Sequence, residues 1–426
     1  MLSVHTCPLA ALGGKETGGM NVYVRELSRE LARRGIAVDI FTRSQNPAIP
    51  RVNDVELGQG ARVIHIKAGP EEPYHKNLVW NHLSEFVDGV RRFAREEGFS
   101  YDLFHSHYWL SGWVARALQR DWSIPVIHMF HTLGRMKNRV ARSEAEREIA
   151  QRIRVETEIM AFADRIVAAT PRDKAQMVEL YGADPDKITV IPCGVDLELF
   201  QQIPCQEAKA ELGVPGDHHL VLFVGRIEPL KGIDTLLRAM ALMLEEESGW
   251  RGRVSLCIIG GDVSEDALLM DEEMRRLHRL RDELGIADVV IFAGAQAQET
   301  LPCTYSAADV VVVPSHYESF GMVALEAMAC GAPVIASDVG GLSFLVEDGR
   351  TGFLVPEGDP AALADRLHRV LADRSLRDFM GIAGIKMAQG YGWPLIADQI
   401  VALYQQSQIR EGYITIGYLR LNSGEV

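Results

Sequence analysis

The segment VVVVPSHYESFGMVALEAMACGAPVIAS, residues 310–337, contains an apolar run, a polar turn, a helical stretch and a second apolar run in direct succession. This order predicts a buried strand, a helix and a second buried strand, which is the repeating unit of a parallel α/β sheet. Glu318 stands in the turn before the helix, and Glu326 stands within the helix. Backbone N–H groups at a helix start have no helical acceptors and favour an anion, so the segment predicts a diphosphate site flanked by two carboxylates. In the alternative interpretation, Glu318 only offsets the helix dipole and Glu326 lies on a solvated face of the helix.

A second segment of the same kind lies about ninety residues upstream. Residues 220–224 form an apolar run, and the loop GRIEPLKG (225–232) and a helical pattern follow it. Arg226 and Lys231 in this loop would place two cations at the end of a strand, where open α/β sheets bind ligands. They could neutralise a leaving diphosphate without a metal ion. One such loop is commonly a solvated surface loop, but two that meet favour an anion site.

Length and composition indicate a two-domain globular protein of the cytoplasm. The 426 residues exceed one ordinary core and predict two domains, and the apolar fraction of 47% with 24% charged residues is typical of a soluble chain. A formal net charge of −14 argues against nucleic acid or an anionic membrane as a partner, which leaves small-molecule substrates. The six cysteines are scattered and favour reduced thiols, and neither a membrane span nor a signal peptide is expected.

Strand and helix patterns alternate along both halves of the chain, which predicts two α/β domains with parallel sheets. Strands are predicted at residues 2–5, 37–42, 63–66, 103–105 and 126–129 in the first half, and at 220–224, 254–259, 289–292, 310–313 and 334–336 in the second. A helix with Tyr23, Leu27 and Leu31 on one face is predicted to end at Gly35. We expect an N-terminal domain over 1–195, a hinge over 196–219, a C-terminal domain over 220–390, a helix over 391–408 that crosses back to the first domain, and a tail of unknown role over 409–426.

Four histidines, His105, His107, His128 and His131, lie at the ends of two predicted strands. No carboxylate or cysteine completes a zinc spacing with them, so hydrogen-bonded core histidines are expected for several of the four. The acidic clusters at 184–186 and 262–266 are interpreted as turns, and no metal site is predicted. The glycine-rich loop at 13–19 is either a tight turn or a place where the backbone approaches a sugar diphosphate closely, and its position favours the second interpretation.

The chain resembles the retaining glycosyltransferases of glycosyltransferase family 4, which have the GT-B architecture. The resemblance is carried by GGMNVYVREL (18–27), HSHYWLSG (105–112), HMFHTLGRMKN (128–138), IPCGVDLELF (191–200), VGRIEPLKGID (224–234) and ESFGMVALEAMACGAPVIAS (318–337). These segments follow the family order and extend over nearly the whole chain to about residue 408. The resemblance implies two Rossmann-like domains that face each other across a cleft. It also implies a UDP-sugar as co-substrate, no prosthetic group and no required metal.

The same resemblance implies a donor site in the second half, which the glycine-rich loop of the first half faces across the cleft. Its expected members are Gly18, Gly19, Gly225, Arg226, Lys231, Gly294, Gln296, Glu318, Ser319, Phe320, Gly321, Met322, Val323 and Glu326. Arg226 and Lys231 would stabilise the diphosphate as charge grows on it, and Glu318 would bind hydroxyls of the transferred sugar. Glu326 would bind the ribose, and the backbone at 294–298 would read the base, with uracil expected. His131 would orient the reacting groups, so His131, Arg226, Lys231 and Glu318 form the expected catalytic set.

Retention of the anomeric configuration is likewise implied only by the resemblance. No carboxylate nucleophile beneath the sugar C1 is identified from the residues. The family likeness implies instead that the acceptor attacks from the face that the diphosphate leaves, and that the departing phosphate takes the acceptor proton.

The acceptor site is expected in the first half, at Asn21, Lys76, Tyr108, Thr132 and Arg152. Two subfamilies fit: sucrose-phosphate synthases, which act on fructose 6-phosphate, and mycothiol-pathway enzymes, which transfer N-acetylglucosamine to an inositol phosphate. Both need cations for a monophosphate, although a solvated lysine and a solvated helix arginine are the alternative for Lys76 and Arg152. Met20 favours the inositol phosphate group, whereas HTLGRMK and residues 152–170 favour sucrose 6-phosphate synthesis, which is our first expectation. A nucleotide-sugar epimerase and a non-catalytic nucleotide-sugar binder remain alternatives of another class.

Overall fold

A computed structural model describes residues 1–11, 17–73, 75–261 and 271–410. Contacts divide the chain into two compact units. Of the described residues, the N-terminal unit contains 1–10, those of the range 19–192 and 393–410, and the C-terminal unit contains 11, 17, 18 and those of the range 193–392. Both units are α/β with largely parallel sheets, which confirms the predicted fold class. No helix within the described ranges is long and apolar enough to cross a membrane.

Up to residue 192, strands are interspersed with helices as the pattern predicts, although the first three strands follow one another without a helix between them. The strands are β1 Val38–Arg43, β2 Val52–Asn53, β3 Ala61–Ile66, β4 Phe104–His107, β5 Val126–Met129, β6 Arg165–Ala168 and β7 Ile188–Val190. The helices are α1 Gly19–Arg33, α2 Lys76–Val79, α3 Leu83–Glu97, α4 Tyr108–Trp122, α5 Gly134–Val140, α6 Ala150–Phe162 and α7 Pro171–Tyr181.

The rest of the chain continues in the same way. Its strands are β8 His219–Val224, β9 Val254–Ile259, β10 Val290–Gly294, β11 Val310–Val313, β12 Val334–Ser337 and β13 Gly352–Val355. Its helices are α8 Cys205–Glu211, α9 Ile233–Glu246, α10 Glu272–Glu283, α11 Leu301–Ala307, α12 Met322–Ala329, α13 Leu342–Leu345, α14 Pro360–Ala372, α15 Arg374–Ala388 and α16 Trp393–Arg410.

Leu2 joins the two parts of the N-terminal sheet. One part has the order β1-β3-β2 and the other β4-β5-β6-β7, and Leu2 bridges in parallel to Phe41 on β1 and to Ser106 on β4. The backbone N–H of Leu2 donates to His105 at 2.9 Å, and that of Ser3 donates to Phe41 at 2.9 Å. The strand expected at 2–5 is therefore a short central segment. From this segment the chain first builds β1, β2 and β3 on one side and then β4 to β7 on the other. A switch point therefore lies between Leu2 and β4.

The first helix confirms its predicted apolar face. Tyr23, Leu27 and Leu31 of α1 are at most 1% exposed, because their spacing places them on the side that packs on the sheet. The helix ends at Arg33, and Gly35 follows with a φ of 77°, a left-handed conformation that glycine adopts at little cost. Helix α16 packs against α1 in the same unit, and the Trp393 ring lies 5.5 Å from the Tyr23 ring.

The C-terminal sheet has the order β10-β9-β8-β11-β12-β13, and all its pairs are parallel. Starting from β8, the chain builds β9 and β10 on one side and returns to build β11, β12 and β13 on the other. The switch point lies between β8 and β11, and ligands of such sheets bind in the crevice at the carboxyl ends of these strands. Both segments singled out from the sequence begin at this point, since one follows β8 and the other follows β11.

Several elements were not anticipated. Strands β6, β7 and β13 have three or four residues each. The segment 196–219, expected to be a hinge, contains helix α8, whose Ala208 is fully buried and clusters with Leu220 and Ala307 in the C-terminal unit. Its role as a hinge stays a prediction, as do the expected domain boundaries. Asp184 caps a turn by accepting from the Asp186 N–H at 2.9 Å, whereas the cluster at 262–266 lies outside the described residues.

Candidate functional site

In the C-terminal unit, a lysine and a glutamate meet at the switch point. Lys231 donates from Nζ to Glu318 Oε2 at 2.6 Å, and the two side chains are 19% and 20% exposed. Lys231 ends a short 3-10 helix after β8, and Glu318 lies between β11 and α12. The pair is therefore accessible to a ligand, with one cation and one carboxylate side by side.

A glycine allows the two loops to approach each other. Gly232 has a φ of 66°, and a Cβ on it would lie 2.0 Å from the Pro314 carbonyl oxygen. The N–H of His316 also donates to the Leu230 carbonyl at 2.9 Å. A larger residue at 232 would push the loop after β8 away from the loop after β11, so this glycine positions Lys231 against Glu318.

Arg226 lies in the first part of the same loop. Its Nη1 lies 2.8 Å from Glu228 Oε1, and each side chain is 30% exposed. A Cβ on Gly18 would lie 3.6 Å from Arg226 Nε, so the described end of the glycine-rich loop is next to this guanidinium, and Gly225 directly precedes it. Gly19 begins α1 in the other unit, and residues 13 and 14 of the loop lie outside the described residues.

The start of α12 is held by a turn after β12. The Gly341 N–H donates to the Glu318 carbonyl at 2.8 Å, and a Cβ on Gly340 would lie 1.9 Å from that oxygen. Gly340 and Gly321, which precedes Met322, both have positive φ, at 48° and 104°. The expected diphosphate-binding residues line this helix start: Ser319, Met322 and Val323 are partly exposed, whereas Phe320 and Gly321 are buried. First-turn N–H groups lack intrahelical acceptors, so the geometry suits an anion.

Glu326, expected to bind the ribose, is buried in the C-terminal unit. It is 7% exposed, accepts from the Tyr305 hydroxyl at 2.9 Å, and lies 3.5 Å from Gln298 Nε2. Gly294 ends β10 with a φ of 71°, and Gln296 follows in a partly exposed loop. The internal partners of Glu326 were not anticipated, and its role toward a ribose stays a prediction.

In the N-terminal unit, two strand ends carry strained residues. Tyr108 follows β4 with a φ of 72°, and His131 follows β5 with a φ of 60°. Residues other than glycine rarely adopt this conformation, and strain of this kind collects at functional sites. Tyr108 lies at the carboxyl end of β4, beside the switch point of this sheet, and His131 lies beyond the carboxyl end of the neighbouring strand β5.

Three of the histidines, His105, His107 and His128, are buried, whereas His131 is partly exposed; all four take part in hydrogen-bond contacts. His107 Nδ1 lies 3.1 Å from His131 Nε2, His105 Nδ1 lies 2.7 Å from the Tyr404 hydroxyl, and His128 Nδ1 lies 2.8 Å from Ser106 Oγ. Burial lowers the pKa of His105 and of His131 to about 3, and it holds the pKa of His107 and His128 well below their usual range. His131 is therefore a neutral imidazole near pH 7, able to orient a hydroxyl by a hydrogen bond.

Three of the expected acceptor residues meet at one guanidinium. Arg152 donates from Nη1 to the Tyr108 hydroxyl at 2.9 Å and from Nη2 to Thr132 Oγ1 at 3.0 Å and its carbonyl at 2.8 Å. Arg152 is 0% exposed, which excludes a solvated helix arginine. Asn21 instead donates to Thr6 Oγ1 and the Cys7 carbonyl, both at 2.7 Å.

Two carboxylates of the same site were missed from the sequence. Arg152 Nε donates to Glu156 Oε1 at 2.7 Å, and Nη1 lies 2.9 Å from Glu148 Oε1. Burial alone would raise the pKa of Glu148, but Arg152, Lys137 and Lys76 outweigh it and lower the pKa to about 2. Lys76 therefore acts on the same cluster. The spacing of four residues between Glu148, Arg152 and Glu156 is the sequence pattern that could have indicated their contact.

The described part of the chain contains no group of three or more His, Cys, Asp or Glu side chains placed to hold a metal ion. The expectation that no metal is required stays a prediction, which a rate measurement with and without a chelator would test.

The comparisons with known families cover both units. Residues 17–199 match the domain described as Glycosyltransferase Family 4, and residues 205–387 match the domain described as Glycosyl transferases group 1.

The relatives cover nearly the whole chain. The chain is 42% identical over 410 residues to the D-inositol 3-phosphate glycosyltransferase of Thermomonospora curvata, which covers 95% of this chain and 94% of the relative. It is 43% identical over 407 residues to the enzyme of the same name from Kribbella flavida, which covers 95% of this chain and 94% of the relative.

Solved structures show the same two-unit fold. A sucrose-phosphate synthase from Thermosynechococcus elongatus is 38% identical with a TM-score of 0.87, over 96% of this chain and 98% of that one. An Anabaena protein solved with UDP-glucose is 22% identical with a TM-score of 0.72, over 95% of this chain and 99% of that one, and at this identity it supports the fold alone. These likenesses confirm the fold and the resemblance stated from the sequence.

Proposed function

The chain belongs to the family 4 glycosyltransferases with the GT-B fold, and on that basis we propose that it transfers a hexose from a UDP-sugar to a hydroxyl of a small phosphorylated acceptor. The observation that carries the donor half of the proposal is the contact of Lys231 with Glu318 at 2.6 Å beside the start of α12. It combines a cation and helix-end N–H groups for a diphosphate with a carboxylate for sugar hydroxyls.

The proposed chemistry follows the charges that develop in the reaction. The bond between the sugar C1 and the phosphate oxygen breaks, and its electron pair remains on the diphosphate. Arg226, Lys231 and the first turn of α12 would stabilise this growing negative charge with donors that are already in place. Glu318 would hold the sugar hydroxyls. The acceptor oxygen would form the new bond to C1 from the side of the departing diphosphate, and a phosphate oxygen would take its proton, which retains the configuration.

The acceptor half of the proposal is supported by the cluster around Arg152. Its cations Arg152, Lys137 and Lys76 act on one carboxylate, Glu148, and lower its pKa to about 2. Such a concentration of positive charge in a partly buried site suits a phosphate monoester. His131, which is partly exposed, would orient the attacking hydroxyl as a neutral imidazole.

Two acceptors follow from the comparisons. Inositol 3-phosphate is the first candidate, because relatives 42% and 43% identical carry that activity in their names, and Met20 favours the same group. Fructose 6-phosphate, our first expectation from the sequence, is the second candidate, because the sucrose-phosphate synthase structure is 38% identical with a TM-score of 0.87. Both acceptors carry the phosphate that the Arg152 cluster suits.

The experiment measures UDP release and identifies the product by mass spectrometry. UDP-glucose and UDP-N-acetylglucosamine are each combined with inositol 3-phosphate, fructose 6-phosphate, their unphosphorylated parents, or no acceptor. We expect a glycoside with one phosphorylated acceptor and at least about a hundredfold loss without the phosphate. Turnover without a glycoside would instead indicate hydrolysis or epimerisation. UDP binding without turnover under any combination would indicate a non-catalytic binder.

A further inference from the structure

Glu148 occupies the middle of the cationic cluster in the N-terminal unit. Its Oε1 lies 2.6 Å from Lys137 Nζ and 2.9 Å from Arg152 Nη1, so both cations contact the same oxygen. The Glu148 side chain is 6% exposed, and Lys76 also contributes to the low pKa of its carboxyl. A carboxylate therefore stands at the point on which the positive charges of the proposed acceptor site converge.

Every nitrogen of the Arg152 guanidinium already has a partner. Nε donates to Glu156, Nη1 donates to the Tyr108 hydroxyl and forms an ion pair with Glu148, and Nη2 donates to the carbonyl and hydroxyl oxygens of Thr132. An acceptor phosphate can bind this guanidinium only if one of these partners leaves.

Glu148 is the partner that can leave. Glu156 is 0% exposed and also accepts from the Gly134 N–H at 3.1 Å and from the Tyr181 hydroxyl, so three helices hold it. The Thr132 carbonyl belongs to the backbone. Glu148, by contrast, precedes α6 in a connecting segment, and rotation of its side chain moves no helix.

The charges support an exchange. Lys76, Lys137 and Arg152 carry three positive charges, and Glu148 and Glu156 carry two negative charges. The cluster therefore has a net charge of +1 with Glu148 in place and +2 when Glu148 has left. A net charge of +2 matches a phosphate monoester, which carries up to two negative charges near pH 7.

Resting on the proposed function, we propose that Glu148 is an internal anion that occupies the acceptor phosphate site and leaves it when the acceptor binds. It keeps Lys137 and Arg152 in position while the site holds no acceptor. It also determines specificity, because a neutral acceptor cannot replace the carboxylate, whereas a phosphate offers more charge and more oxygen atoms to the same cations.

The test compares Glu148→Gln with the wild type and with Glu144→Gln. Glu144 lies in the same segment, and its side chain is 86% exposed, so its replacement is the matched control. Inorganic phosphate is the probe. Its inhibition constant is measured in competition with the phosphorylated acceptor, and its affinity for the free protein is measured by calorimetry. The KM of acceptor and donor, the kcat and the melting temperature are measured alongside.

We expect Glu148→Gln to bind inorganic phosphate about tenfold more tightly and to lower the acceptor KM by a similar factor, because one competing charge has been removed. The donor KM should stay within about twofold, and Glu144→Gln should match the wild type. Tighter phosphate binding is not expected from a purely structural ion pair. If Glu148→Gln does not fold, Glu148→Asp, whose shorter side chain weakens the same contacts, should show the same change in smaller measure.

The inference is overturned if inorganic phosphate competes with the acceptor in the wild type but binds a folded Glu148 variant equally or more weakly. A wild type for which phosphate neither binds nor competes, and which shows no preference for phosphorylated acceptors, overturns the acceptor half of the proposed function and the inference with it. The two failures are distinguished by the wild-type measurement alone.

Discussion

Removal of the Lys231 ammonium is the sharpest test of the donor site. In Lys231→Ala, the diphosphate loses a cation and faces the Glu318 carboxylate that Lys231 contacts at 2.6 Å. Two unit charges about 4 Å apart interact by about 4 kcal/mol at an effective dielectric constant of about 20. The pair is 19% and 20% exposed, so screening reduces this to roughly 2 kcal/mol. That energy corresponds to a factor of about 30 in UDP affinity.

The loss in kcat/KM should be larger, about a thousandfold, because the departing diphosphate carries more negative charge in the transition state than in the ground state. UDP affinity is measured by isothermal titration calorimetry, and kcat/KM by initial rates of UDP release. Lys386→Ala is the matched control, since Lys386 is an exposed lysine on α15 of the same unit. The melting temperature of Lys231→Ala should change little, because partly exposed ion pairs contribute under about 1 kcal/mol.

A double variant separates the two effects. In Lys231→Ala combined with Glu318→Gln, the uncompensated carboxylate is gone, so UDP affinity should recover by about threefold to tenfold relative to Lys231→Ala, while turnover stays low. UDP affinity and kcat/KM of Lys231→Ala within twofold of the wild type would refute the reasoning. So would a double variant that binds UDP more weakly than Lys231→Ala.

Three further predictions concern the rest of the site. Glu318→Ala should lower kcat at least about a hundredfold and leave the UDP Kd within about threefold, as calorimetry and rate measurements would show; a weakened Kd with normal kcat would contradict its role. Lys76→Ala should raise the acceptor KM about tenfold in rate measurements without changing the donor KM. Arg152→Ala should lower the free energy of unfolding in urea by about 3–5 kcal/mol, because the buried Glu156 carboxylate loses its partner. Burial lowers the pKa of His105 and of His131 to about 3, below the ordinary value of about 6.5, so stability should be complete above pH 6.5 and fall by about 1 kcal/mol per histidine between pH 6.5 and 5.5. Unfolding curves that coincide at the two pH values would contradict this.

Much of the fold could be predicted from the sequence because buried parallel strands are apolar on both faces. The run at 310–313 coincides with β11, and the run at 220–224 lies within β8. Strands β6, β7 and β13 were missed because their three or four residues include an arginine, a threonine and a glycine, whereas β11, of similar length, consists of four valines. Helix α8 was missed because it follows Pro204 in a polar segment, and its Ala208 is buried by contacts with distant residues.

The candidate site could be predicted only in part, since a pattern identifies residue types but not their partners. The loops that carry Lys231 and Glu318 were singled out, and the structure brings them together. For Arg152, the alternative of a solvated side chain could not be excluded from a charged helical pattern. Glu148 and Glu156 were missed because carboxylates in a charged helix region resemble surface residues until their burial is known.

The sequence by itself determined that the chain has two α/β domains and belongs to a family that transfers sugars, because local apolar runs, turns and motifs record strand order along the chain. Only the tertiary structure decided which charges meet. Lys231 and Glu318 are 87 positions apart and touch because β8 lies next to β11 in the sheet. Any other strand order would separate the two loops, and their contact, unlike a strand or a helix, has no signal of its own in the sequence.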